Sequence, residues 1–226
     1  MKKNIFVALD FNSLEKALET AKKIKDYIAG VKIGTELFTI CGMKGIKKFE
    51  DLGVNVFLDL KLGPEIPNQI KKTVSIISSQ KNINYLTVHT MGGLEMLKAA
   101  KESSGTIELL GVTILTSWDK SNLVSLGLMN SLEDQIKILI TTAIKAKLEG
   151  VISSARDIAQ IRNLSKKLKI FCPGIRGGDE IQDQKRVMSY AEFSKIADDK
   201  CFAVIGRPII DGDPVQNIKK IIQSVD

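Results

Sequence analysis

Asp59 and Lys61 stand two residues apart in the apolar stretch FLDLKL at 57–62. Strand alternation sends both to one face, shared with Phe57, while Leu58 and Leu60 turn the other way. A carboxylate and an ammonium aimed together into an interior are costly unless they compensate each other. Two further charges are set alike: Asp10 closes the apolar run at 5–9, and Lys32 lies within VKI at 31–33. At about 4 Å, opposite charges attract by roughly 4 kcal/mol at an effective dielectric of 20. An alternating Lys–Asp–Lys array can therefore hold itself charged and rigid. A pair of buried salt bridges without chemistry is the bland alternative, but four charges at strand ends resemble a site more than a scaffold.

A second group speaks to phosphate. Pro173, Gly174, Ile175 and Arg176 follow one apolar run, and Gly206 and Arg207 follow another. Glycine lets backbone approach a ligand closely, and arginine binds phosphate through paired hydrogen bonds. Thr116 and Ser117 form a polar end to the run at 109–115. The single histidine, His89, rules out a His-rich metal site, and a structural zinc would need about four nitrogen or sulfur ligands. His89 is expected to cap its strand rather than act as a base. The three cysteines, Cys41, Cys172 and Cys201, are widely spaced and odd in number. They read as free thiols in a reducing compartment.

These residues need elements to position them. Apolar, β-rich segments at 5–9, 31–33, 56–61, 85–89, 109–115, 151–153, 170–172 and 202–205 alternate with helical ones, as parallel strands buried on both faces should. Asn12 or Ser13 can cap a first helix with Leu14, Ala17, Leu18, Ala21 and Ile24 on one face. Ser131 and Asp134 resemble a capping box, opening a helix expected to close at Gly150. Asp213 followed by Pro214 signals the start of the last helix. Eight strands in 226 residues, with no linker or repeat, fit one (β/α)₈ TIM barrel over 1–226, whose chemistry sits at the C-terminal strand ends. An open doubly wound sheet would carry a G-x-G-x-x-G after its first strand, and none stands there.

The net charge of +7 and pI near 9.2 suit either nucleic acid or an anionic small substrate. Aromatic residues make up 5% and are not interleaved with the lysines, so base-stacking platforms are not expected. No apolar run approaches the roughly 18 residues that span a bilayer. The start MKKNIFVALD is too short in apolar residues for a signal h-region of about 7–15. The expectation is a cytoplasmic protein with no nucleic-acid or membrane partner.

VALD at 7–10, VKIG at 31–34, FLDLKL at 57–62, IPN at 66–68, TVH at 87–89, LTS at 115–117, PGIRGGD at 173–179, DQKRV at 183–187 and VIGRPI at 204–209 together resemble the orotidine 5′-monophosphate decarboxylase family of the bacterial type. The blocks come in the family's order and span nearly the whole chain. The resemblance implies conversion of orotidine 5′-monophosphate to UMP and CO₂, without metal or organic cofactor. It implies Lys61 as proton donor to C6, Asp59 beside the substrate carboxylate, Lys32 touching the ribose and Asp59, and Asp10 on the ribose hydroxyls. Thr116 and Ser117 would face the pyrimidine, and Pro173 would be a further substrate-binding residue. Arg176, Gln184, Gly206 and Arg207 would grip the phosphate. It also implies a homodimer with active sites at the subunit interface.

One stretch departs from the family pattern D-x-K-x-x-D-I-P/G-N-T. From Asp59 the chain reads DLKLGPEIPNQ, so Pro64 holds the place of the second Asp and the acid, Glu65, comes one residue later. Gln69 stands where the family has Thr. Glu65 keeps the charge on a longer side chain, in a loop that must bulge to place it. Two further readings remain open: a Mg²⁺-dependent phosphosugar decarboxylase on the same barrel, and a paralogue that binds UMP without turnover. Segments 123–131 and 177–184 are candidates to close over the site, and Trp118 is expected to pack at the start of the first.

Overall fold

The computed structural model describes residues 4–176 and 186–225. Eight parallel strands close into a barrel: β1 (Ile5–Ala8), β2 (Gly30–Gly34), β3 (Val56–Leu62), β4 (Ile83–His89), β5 (Glu108–Val112), β6 (Gly150–Ile152), β7 (Lys169–Cys172) and β10 (Cys201–Ile205). β10 pairs with both β7 and β1, which shuts the ring. All eight expected strands are present. The fifth is shorter than expected, ending at Val112, because the chain turns at Leu115–Trp118 to form the rim. A two-residue pair, β8 (Ile175–Arg176) with β9 (Met188–Ser189), was not expected and extends the rim after β7.

Helices cover the outside: α1 (Leu14–Ile24), α2 (Thr35–Lys47), α3 (Pro67–Ser78), α4 (Gly93–Glu102), α5 (Lys120–Ser125), α6 (Leu132–Lys145), α7 (Ile158–Leu164), α8 (Tyr190–Ile196), α9 (Arg207–Ile210) and α10 (Pro214–Gln223). Ser13 caps α1 by accepting the Lys16 N–H, and Asp213 caps α10 by accepting from Val215 and Gln216. Ser131 caps α6, but the Asp134 carboxylate takes the Ser131 hydroxyl instead of completing a box. That helix does not close at Gly150. It ends at Lys145, Lys147 takes the left-handed turn at φ 60°, and Gly150 opens β6. A Cβ on Gly150 would lie 2.6 Å from the Lys169 carbonyl, so glycine there serves close strand packing.

Two apolar layers result. Alternate strand residues turn outward against the helices, among them Val7, Val31, Leu58, Leu86 and Ile170. The others turn inward, where Phe6, Phe57, Tyr85, Phe171 and Phe202 pack ring to ring, with centroids 4.8–6.5 Å apart. This aromatic plug fills the middle of the barrel and separates a shallow N-terminal recess beside Phe6, Tyr85 and Phe202 from the C-terminal end. Among the described residues, no helix is long and apolar enough to cross a membrane.

Candidate active site

The open end carries the charges expected there. Phe57 points into the barrel, so two residues later Asp59 does too, just above the aromatic plug. Asp59 is 7% exposed. Its Oδ2 lies 2.8 Å from the Lys61 Nζ and 3.7 Å from the Lys32 Nζ. Lys32 also donates to Asp10 Oδ1 at 3.2 Å. The four groups form one line, Lys61–Asp59–Lys32–Asp10. Lys61 and Asp10 are more exposed at its ends, and Asp59 and Lys32 are enclosed at its centre.

Strand register explains why Lys32 reaches both acids. Ala8 pairs with Lys32, and Gly34 pairs with Asp59, so Lys32 starts one layer lower and its stem climbs between them. The space it climbs into exists because Gly34 has no side chain. A Cβ there would stand 3.1 Å from the Lys32 Nζ and 3.5 Å from Asp10 Oδ1.

Asp59 and Lys61 share a face as expected, but not through a regular strand. Leu58 pairs with Leu86 and Leu62 with Val88, so three residues of β3 oppose the single residue Thr87 of β4. Lys61 sits inside this bulge at φ 50°, a left-handed conformation unusual for a residue with a side chain. Its N–H donates to Thr87 Oγ1 at 2.8 Å, and the Thr87 hydroxyl donates to Asp59 Oδ1 at 3.0 Å. Thr87 is fully buried. Bulges re-aim side chains beside active sites, and strained backbone gathers where function requires it.

A cavity of about 350 Å³ opens above this array, within the roughly 300–1,000 Å³ usual for small-molecule sites. Asp10, Lys32, Asp59 and Lys61 line one side. Thr116 and Ser117 line the rim after β5, and Pro173, Arg176, Gly206 and Arg207 line the side after β7 and β10. Gly174, at φ 81°, makes the turn that carries Arg176. Gln184 and the segment 177–184 lie outside the described residues. Glu65 is exposed, does not line this cavity, and folds its carboxylate back to accept the Ile66 N–H at 2.7 Å. The other proposed closing segment is partly helical, as α5, with Leu123 buried and Trp118 packed on the outer core.

His89 accepts the Met91 N–H on Nδ1 at 3.4 Å and so caps the turn after β4. Burial, and then the nearby Lys61 charge, push its imidazole below the ordinary histidine value. A neutral His89 adds no competing positive charge beside Lys61. Among the described residues, no three His, Cys, Asp or Glu side chains converge as a metal site would need.

Gly34, Thr87 and Ser153 went unassigned in the sequence reading. Thr87 could have been found: Tyr85 points inward, so Thr87 must as well, at the level of Asp59. Ser153 also lines the cavity, and its hydroxyl donates to Asp157, which pairs with Arg186.

Known proteins resemble this chain in sequence and fold. The profile described as "Orotidine 5'-phosphate decarboxylase / HUMPS family" matches residues 3–221. A relative from Ehrlichia chaffeensis named orotidine 5′-phosphate decarboxylase is 39% identical over 226 residues, covering 98% of this chain and 96% of its own. One of the same name from Dictyoglomus thermophilum is 39% identical over 235 residues, covering 98% and 95%. The crystal structure of orotidine 5′-phosphate decarboxylase from Lactobacillus acidophilus superposes with a TM-score of 0.83 at 28% identity, over 100% of both chains. With a family profile matched nearly end to end and the same barrel in a solved relative, this chain belongs to the orotidine 5′-phosphate decarboxylase / HUMPS family of enzymes.

Proposed function

We propose that the chain decarboxylates orotidine 5′-monophosphate to UMP and CO₂, the last step of de novo pyrimidine synthesis, with Lys61 as proton donor and without metal or organic cofactor. Family membership supports the reaction. The observation that carries the mechanism is the Lys61 ammonium, 2.8 Å from Asp59 and open to a cavity whose far side bears Arg176 and Arg207.

In this reading the phosphate lies on Arg176, Gly206 and Arg207, with Gln184 as a further proposed ligand. The ribose meets Asp10 and Lys32, and the pyrimidine meets Thr116 and Ser117. The bond from C6 to the carboxylate breaks and CO₂ leaves. The electron pair stays on C6, in the ring plane, where no π-system delocalises it. Lys61 Nζ stabilises that charge and then gives C6 its proton, and water later reprotonates the amine. Asp59 faces the departing carboxylate, and its repulsion eases when CO₂ leaves. Phosphate contacts far from C6 supply binding energy for holding the ring in place. No metal is needed to neutralise Asp59, whose oxygens already take Lys61, Lys32 and Thr87.

The working form is proposed as a homodimer in which Glu65 enters the neighbouring subunit's cavity. Glu65 stands beside Ile66, which is 63% exposed. An apolar side chain left bare beside a charge suits burial by a second copy.

Loss of orotidine 5′-monophosphate absorbance by purified protein in EDTA tests the reading. Turnover that disappears in Lys61→Ala supports the reaction, the need for Lys61 and independence of metal. Turnover that needs added Mg²⁺ favours a metal-dependent relative, and tight UMP binding without turnover favours a non-catalytic paralogue.

A further inference from the structure

We propose that Thr87 is the positioning residue of the reaction: its hydroxyl holds the Lys61 ammonium in its productive place by pinning both ends of the bulge that carries it. The inference rests on the decarboxylase reading above.

The single residue Thr87 opposes the three-residue stretch Asp59–Leu60–Lys61. A strand ladder offers one backbone partner per residue, so the extra residues need bonds from elsewhere. Thr87 provides them with one group. Its only hydroxyl proton goes to Asp59 Oδ1, and a lone pair takes the Lys61 N–H. Both contacts are made by one hydroxyl orientation. No water competes, since Thr87 is fully buried.

Each bond has a separate consequence. The bond to Oδ1 fixes rotation of the Asp59 carboxylate, so that Oδ2 is the atom offered to Lys61 and Lys32. The bond from the Lys61 N–H satisfies a backbone donor that the left-handed turn removes from the ladder. Without an acceptor there, that part-buried N–H would favour a return to regular strand. A regular strand would move the Lys61 side chain relative to Asp59. The β-branched threonine has few χ1 choices in a strand, which keeps the hydroxyl in place.

The test compares Thr87→Val, Thr87→Ser and Thr87→Ala. Valine keeps the shape and removes the hydroxyl, serine keeps the hydroxyl, and alanine has neither. For Val and Ala, kcat is expected to fall about 10²-fold, as a 1 Å misplacement of a catalytic group does. KM and calorimetric UMP affinity should stay within about threefold, because the misplaced Lys61 loses a contact with C6 whose charge develops only in the transition state. Serine should remain within about threefold of the parent in kcat. Val matching the parent, or Ser falling as far as Ala, overturns the proposal. If Val does not fold, the Ser-against-Ala contrast decides. If the parent itself does not act on orotidine 5′-monophosphate, the reaction assignment fails, and crystal structures still decide this point. Lys61 leaving its left-handed conformation in Thr87→Val supports the role, and Lys61 unmoved beside Asp59 overturns it.

Discussion

Lysines meet carboxylates at both ends of this barrel, to opposite purpose. At the N-terminal ends of the strands, Lys169 holds both oxygens of Glu108, at 2.8 and 2.6 Å. Arg162 likewise takes both oxygens of Asp198 with a fork of two nitrogens, and Lys101 pairs with Glu149, whose other oxygen accepts the Leu109 N–H. Each carboxylate there has its own cation, so the pairs are closed. At the C-terminal end Asp59 is shared between two ammoniums and a hydroxyl, and Lys61 keeps donors turned toward an open cavity. The difference lies in stoichiometry. One-to-one pairs brace the barrel, whereas a carboxylate shared by two ammoniums leaves Lys61 with donors available for a substrate. This matches the usual division of a TIM barrel into a stability face and a chemistry face.

The largest effect should break the upper array. Lys61→Ala is expected to lower kcat by about 10³-fold or more, from the loss of both a proton donor and a transition-state charge partner. Steady-state kinetics with the parent as control measure it. Next, Arg207→Ala should remove about 1.5–3 kcal/mol of charged hydrogen bonding, roughly 10- to 150-fold in kcat/KM. Inorganic phosphate should then inhibit the variant less than the parent.

The lower pairs should behave differently. Lys169→Met is expected to cost about 1 kcal/mol of stability, the worth of a partly exposed pair, and to leave kcat unchanged. A large loss of kcat at unchanged stability would erase the contrast between the two ends. The smallest effect is a matter of pH. The Arg162 guanidinium holds the Asp198 carboxyl well below the usual carboxylate range. Because the folded value is the lower one, its stabilisation is full above the unfolded value near pH 4 and fades as acid titrates the folded form. Asp198→Asn should therefore unfold at lower urea than the parent at pH 7, with the gap narrowing below about pH 4.

Much of this was legible in the chain itself. The strand-by-strand alternation of apolar runs, Asp10, Lys32, Asp59 and Lys61 at their C-terminal ends, and the glycine–arginine pairs after the last two strands are local features. Residue type and period alone specify which face and which end they occupy. The capping signals at Ser13, Ser131 and Asp213 were local too, and all three stand at helix starts. The signal read at Gly150 failed because a glycine after a helix and a glycine opening a crowded strand look alike without their neighbours.

Only the tertiary structure decided how the charges meet. Thr87 faces Asp59 and Lys61 because β3 gains two residues against β4, and no window of sequence contains both strands. Lys32 reaches two acids because the register leaves Gly34 between them. The sequence by itself determined which residues carry charge and at which end of the barrel they emerge, since backbone period and side-chain chemistry act within a few residues. Their distances and sharing depend on register between distant strands, which only the closed, packed barrel sets.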